Sequence, residues 1–355
     1  MSRRGKWFAR VWCQRGIAAH LLWPVSMLYG AISGLHRWLY RVRIFKTERC
    51  RVPVIVVGNV VAGGAGKTPL VIVLAKHLRQ QGLQVGIVSR GYGRQSKNCI
   101  EVLASTPISA SGDEPALIFR ALAAPIFVAN RRIDAIEALL AAYPTTQVII
   151  SDDGLQHYGL ARDIDITVFD DRGIGNGWLL PAGPLREPFK PSQPKRGLRY
   201  RSVNGLVLHT GQLPAFDGFV STRRLADCAV APDGRQIPLD DLKHQQLAAL
   251  AAIANPDAFF DMLKARGLQL AHTISLPDHF DFSNYTLPVL GIATVLCTEK
   301  DAVKLFKLPM RTGLQVLEVP LEFAPEPAFL KAVSQLLAPL LYDPSLTKLN
   351  QPMKA

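Results

Sequence analysis

The run VGNVVAGGAGKTP, Val57 to Pro69, holds the residues best able to do chemistry. A phosphate cradle needs backbone N–H groups turned inward, a lysine for the β- and γ-phosphates and a hydroxyl for magnesium. Gly63, Gly64 and Gly66 let the backbone wrap, Lys67 supplies the charge and Thr68 the hydroxyl; with Val61, Ala62 and Ala65 they make up the stretch 61–68. The usual Gly-x-x-x-x-Gly-Lys-Thr spacing puts glycine at position 61, where this chain has Val61. The run is therefore either a variant that still cradles phosphate or a glycine-rich turn that mimics one. Val61 precedes the tightest part of the wrap, so its side chain need not abolish the cradle. A second stretch, QVIISDD (147–153), is an apolar strand ending in Asp152 and Asp153, as expected of a strand that holds magnesium beside such a loop.

The elements around these residues are those a phosphate loop requires. PVIVV (53–57) is a short β-branched run that reads as a buried strand, and LVIVLAKHLRQQG continues as a helix ending near Gly82. Pro69 is tolerable in the first helical turn, where a missing N–H costs little. Strands are predicted at 83–90, 125–130 and 164–171 and helices at 114–123 and 132–143, the alternation of an α/β protein. The expected fold is a P-loop NTPase-like, doubly wound, mostly parallel sheet, with ligands at the carboxyl ends of its strands. A second, smaller α/β domain follows, with linker strands near 204–209 and 219–223. Strands are expected at 268–276, 293–300 and 314–319, and a closing helix from Pro325 to Leu341. The expected divisions are 1–45, 46–203, 204–323 and 324–355. The Pro-, Arg- and Lys-rich stretch 181–201 suits a lid, and two lobes would allow closure that excludes water.

An apolar content of 48% with 19% charged residues describes a globular chain. The net charge of +13 is concentrated at one end: ten Lys or Arg in residues 1–50 face the single acid Glu48. The body is nearly balanced, so no nucleic-acid partner is expected. The five cysteines are scattered, without metal-ligand spacing, and read as small buried apolar residues of a reducing compartment.

From Gly16 to His36 no residue is Asp, Glu, Lys or Arg, and Trp23, Tyr29, Trp38 and Tyr40 suit a membrane interface. Basic residues flank the segment on both sides. A helix lying in the interface is favoured over a true span, a cleaved signal peptide or an ordinary amphipathic core helix.

The clusters SRGYGR (89–94), GDEP (112–115), NR (130–131), DDGLQH (152–157), PAGPLREP (181–188), PDHFDF (277–282) and TEKDAVK (298–304) occur in that order after GGAGKTP. Together they resemble the lipid A 4′-kinase (tetraacyldisaccharide 4′-kinase) family from about residue 15 to about residue 335. That family also lacks the first glycine, so the resemblance makes the run at 61–68 a variant P-loop. It implies ATP and Mg2+ as cofactors and phosphoryl transfer to the 4′-hydroxyl of a tetraacylated glucosamine disaccharide 1-phosphate. It places the chain at the cytoplasmic face of the bacterial inner membrane, where its glycolipid substrate is embedded; a monomer is expected.

The resemblance also suggests roles. Asp113 matches the proposed base, with a helix N-cap as the alternative, and His279 matches the histidine that acts with it. Asp152 and Asp153 match magnesium or substrate carboxylates, and Gln156 and His157 extend their loop. Arg131 and Arg186 are candidates for stabilising phosphoryl charge, with surface ion pairs the alternative. Tyr92 is assigned to substrate or nucleotide, and Glu114 to the magnesium shell beside Thr68. TEKD fails the spacing of a guanine signature, and 298–304 is expected to be a strand-to-helix loop. The rival readings are a membrane-recruited P-loop NTPase switch and a soluble kinase or ligase with an incidental N-terminal helix.

Overall fold

The computed structural model describes residues 11–190, 204–211, 213–282, 285–288, 291–309 and 312–342. Arg3, Arg4, Lys6 and Arg10, the part of the expected lid from 191 on, and the tail after Pro344 lie outside the described residues. The chain divides into two compact units, crossing between them after Thr222 and returning after Phe323.

In the larger unit, β-branched runs pair where burial on both faces suits them. Its strands are β1 (Val54–Gly58), β2 (Val85–Ser89), β3 (Ile100–Glu101), β4 (Ile126–Val128), β5 (Val148–Asp152), β6 (Ile164–Phe169) and β7 (Gly205–His209), with β8 (Phe219–Leu225) following. With β15 (Leu321–Pro325) as an edge strand, the sheet order is β15-β8-β7-β6-β1-β5-β2-β4-β3; β1, β2 and β4 to β8 pair in parallel and β3 pairs antiparallel with β4. Helices α2 (Lys67–Gln80), α3 (Ile108–Ser111), α4 (Asp113–Leu122) and α5 (Arg132–Ala142) lie between the strands. β1, in the middle of the order, runs into the glycine loop, and its register sets Val57 beside Asp152 of β5. The two stretches singled out for chemistry therefore emerge side by side.

Helix α1 (Ile17–Arg41) precedes the sheet and buries only Ala19 and Ser26. Ser26 Oγ donates to the Leu179 carbonyl at 2.8 Å, and the bare Gly30 lets Leu179 lie close. Ile17, Leu21, Val25, Leu28, Ile32 and Leu35, at helical spacing, remain exposed. The helix is long and apolar enough to cross a membrane.

The smaller unit holds a second sheet. Its strands are β9 (Cys228–Val230), β10 (Gln236–Pro238), β11 (Gln246–Ala251), β12 (Gln269–Ser275), β13 (Thr294–Thr298) and β14 (Gln315–Val319). The order is β10-β9-β14-β13-β11-β12, with β9 and β10 antiparallel additions to a parallel set. Leu247, Ala249 and Leu296 pack on one apolar cluster, and Ala248, Leu250 and Val295 on the other. Helix α6 (Pro256–Ala265) follows β11, and α7 (Glu299–Leu305) follows β13.

The expected loop at 298–304 is instead this helix. Thr298 caps it, its Oγ1 accepting from the Asp301 N–H at 3.3 Å, and buried Asp301 accepts the Ala252 N–H at 3.0 Å. TEKD is thus a capped turn tied to the end of β11. Strand β15 (Leu321–Pro325) leads back across the division to α8 (Pro327–Leu341) in the larger unit. The cysteines depart from expectation too: Cys50 and Cys297 are buried, but Cys13 and Cys99 are exposed.

Candidate active site

The glycine loop begins at Asn59, which is fully buried at the end of β1. Its Nδ2 donates to the carbonyls of Val61 at 2.6 Å and Gly63 at 2.9 Å, and its Oδ1 accepts from Lys67 Nζ at 3.3 Å. One amide thus ties both ends of the wrap together. Val61 is buried and bridges Leu185, while the Ala62 N–H donates to the Pro184 carbonyl at 2.8 Å. A valine suits this position because residue 61 pairs like a strand residue; the bend comes later. Gly63 (φ 103) and Gly66 (φ 80) take the left-handed backbone that side chains resist. Outside the wrap, Arg172, held by Asp170, donates to the carbonyls of Ala62 at 3.2 Å and Gly64 at 3.5 Å. The Ala65 carbonyl accepts from Thr210 Oγ1 at 2.8 Å. Carbonyls held from outside leave the amides of such a loop for an anion within. Lys67 and Thr68, both buried, open α2.

The carboxylates stand at the end of β5. Lys67 Nζ lies 3.5 Å from Asp153 Oδ1, which Arg186 Nη1 approaches at 3.6 Å. Asp153 has a left-handed φ of 47, and Arg132 clamps the turn by donating to the carbonyls of Asp152 at 3.0 Å and Asp153 at 3.2 Å. Asp152 is wholly buried, and among the described residues neither of its carboxylate oxygens has a hydrogen-bond partner. Burial, then the negative charges of Glu114 and Asp153, push its carboxyl up to about 8 against the pull of Lys67 and Arg132. An unsatisfied carboxylate beside a second acid suits a hard cation, which takes oxygen ligands.

Asp113 is buried at the first position of α4, after Gly112 (φ 91), which takes the cap in its place, so the N-cap alternative is not realised. A Cβ on Gly112 would stand 2.9 Å from the Tyr92 carbonyl, and one on Gly91 2.4 Å from the Ser111 carbonyl. The glycines of SRGYGR and GDEP thus let two backbones touch. Arg94 joins the next cluster by donating to Asn130 Oδ1 at 3.2 Å. Tyr92 projects outward, 68% exposed. Gln156 Nε2 donates to the Asn59 carbonyl at 3.1 Å, and its Oε1 accepts from Arg186 at 3.4 Å. His157 is pushed down to about 4 by burial and by the guanidiniums of Arg132, Arg162, Arg90 and Arg131, so it is neutral at ordinary pH.

Arg131 is engaged at the surface by Glu48 and by Asp134, the ion-pair alternative, while Arg132 turns inward. His279 belongs to the smaller unit, where it has a left-handed φ of 59 and its Nε2 lies 3.3 Å from Lys300 Nζ. Asn59, Arg132 and Arg172 were not singled out from sequence. A polar residue just after β1 was a usable signal for Asn59, whereas the choice within Arg131–Arg132 depends on where α5 begins.

A glycine wrap and buried lysine after β1, with strand-end carboxylates one strand over, define a P-loop nucleotide-binding protein of the α/β class. Residues 18–338 match one family, described as Tetraacyldisaccharide-1-P 4′-kinase. The chain belongs to that family. Two curated relatives named tetraacyldisaccharide 4′-kinase show the same: one from Polaromonas naphthalenivorans is 60% identical over 94% of this chain and 95% of its own. Another, from Polaromonas sp. strain JS666, is 61% identical over 94% and 96%. The solved structure of LpxK from Aquifex aeolicus in complex with ATP is similar with a TM-score of 0.72 and 29% identity, covering 90% of this chain and 99% of that one.

Proposed function

We propose that this protein transfers the γ-phosphoryl group of ATP to the 4′-hydroxyl of a tetraacylated glucosamine disaccharide 1-phosphate in lipid A synthesis. The observation that carries the reading is the pairing of buried Lys67 with the strand-end carboxylates at the mouth of the glycine wrap, in a chain of this family. ATP with Mg2+ fits the residues present: Gly63 and Gly66 permit the left-handed wrap, and Asp152, with Glu114 near it, has two unsatisfied oxygens for a cation to which the Thr68 hydroxyl is also assigned. When bound, the nucleotide supplies the phosphoryl group and the metal offsets charge developing on it.

Lys67 and the loop amides hold the phosphates. A sugar hydroxyl is a weak nucleophile, and we assign Asp113 to accept its proton. Arg186, already beside Asp153, is assigned to the charge of the transferring group, in preference to Arg131. Gln156, neutral His157 and exposed Tyr92 are assigned to the disaccharide. The exposed apolar stripe of α1 supports seating at the cytoplasmic face of the inner membrane, where a four-chain acceptor resides.

The reading is tested on the lipid product after incubation with ATP and Mg2+. One added phosphate, located at the 4′-oxygen by phosphorus–proton correlation, is expected. ATP hydrolysis with unaltered lipid would replace the kinase by a membrane-recruited switch.

A further inference from the structure

Glu187 follows Arg186 in PAGPLREP and is 2% exposed, a carboxylate with no part in the proton transfer above. Its Oε1 accepts from Gln156 Nε2 and its Oε2 from the Tyr158 hydroxyl, both at 2.8 Å. Arg37, near the end of α1, brings Nη1 to 3.6 Å from Oε2. Two turns earlier on the same helix, the Tyr29 hydroxyl donates to the Arg186 carbonyl at 2.7 Å. Gln156 continues the chain to Arg186, Arg186 meets Asp153, and Asp153 meets Lys67. All of these residues belong to the larger unit.

A buried carboxylate is costly unless its charge is matched and its oxygens are bonded. At Glu187 two of these partners come from the loop after β5 and a third, the cation, from α1. The hold of Glu187 on Gln156 therefore depends on α1 being seated. We propose that Glu187 is a positioning residue for phosphoryl transfer, linking the seating of α1 through Arg37 to the orientation of Gln156 and Arg186 beside Lys67. The proposal rests on the kinase reading above.

The test uses the full chain in mixed micelles. Arg37→Ala removes the cation from the α1 side while the bonds of Glu187 to Gln156 and Tyr158 remain; the Arg37 side chain is 26% exposed, so folding should survive. At saturating ATP, kcat should fall about tenfold, as when a supporting partner of a site residue is removed. Nucleotide affinity should stay unchanged, and Arg37→Lys should recover most of the loss. Hydrogen exchange should rise selectively over 153–158 and 184–188. Combining Arg37→Ala with Glu187→Gln should lower kcat no further than Glu187→Gln alone. An unchanged kcat in Arg37→Ala, or a change confined to KM for the lipid, would overturn the proposal. Failure of the wild type to transfer phosphate would instead sink the kinase reading; unchanged exchange over the two segments would then still refute the coupling.

Discussion

Asp152 offers a prediction whose sign is unusual for a site residue. Its carboxyl is raised from an ordinary 3.8 to about 8 in the folded chain, chiefly by burial. Between those values the folded state holds a proton that the unfolded state has released, so stability falls as pH rises through that window. Each pH unit costs about 1.4 kcal/mol, which between pH 5 and pH 8 gives a ceiling of about 4 kcal/mol. Water reaching the carboxylate softens this, and about half the ceiling corresponds to roughly 5 °C in melting temperature for a unit of this size. Asp152→Asn keeps the shape and removes the ionisation. Metal-free, with EDTA present, the variant should melt about 5 °C above wild type at pH 8 and close to it at pH 5. With nucleotide already present, adding magnesium should raise wild type further and leave the variant nearly unmoved. A variant less stable than wild type at pH 8 without metal would refute the picture of an uncompensated buried charge. Equal stabilisation of both proteins by magnesium would refute its assignment to the cation.

Further outcomes follow from the site. Lys67→Ala should lower phosphoryl transfer by roughly 10^2–10^3-fold, the scale of one lost contact to developing charge, read in initial rates at saturating lipid. Arg132→Ala should lower transfer at least tenfold more than Arg131→Ala, since only Arg132 clamps the carbonyls of Asp152 and Asp153; exposed pairs such as those of Arg131 are worth about 0–1 kcal/mol in stability. His157 stays neutral down to about 4, so the pH–rate profile should show no inflection from it near its ordinary value of 6.5; His157→Gln should leave the profile's shape unchanged.

Much of the larger unit was legible because its strands are unbroken β-branched runs, each followed by punctuation. PVIVV before glycines and QVIIS before two aspartates announce both element and position, and the register of Val57 with Asp152 follows once the strands pair in parallel. The variant at Val61 was legible only through family resemblance; its physical reason, a bridge to Leu185 some 120 residues on, exists only in three dimensions. The same holds for Glu187 and Arg172, whose partners lie far away in sequence. The two-residue strand β3 and the antiparallel additions β9 and β10 are too short to leave a periodic signal. TEKDAVK misled because an N-cap Thr followed by acids in the first turn looks like a functional loop until the helix is seen.

The most direct test follows labelled γ-phosphate from ATP to tetraacyldisaccharide 1-phosphate in mixed micelles, comparing wild type with Lys67→Ala and Asp113→Ala. Label should enter the lipid with wild type and at least about 10^2-fold more slowly with either variant, while Asp113→Ala still binds ATP. Label released only as inorganic phosphate by wild type, or transfer undiminished in Asp113→Ala, would contradict the mechanism.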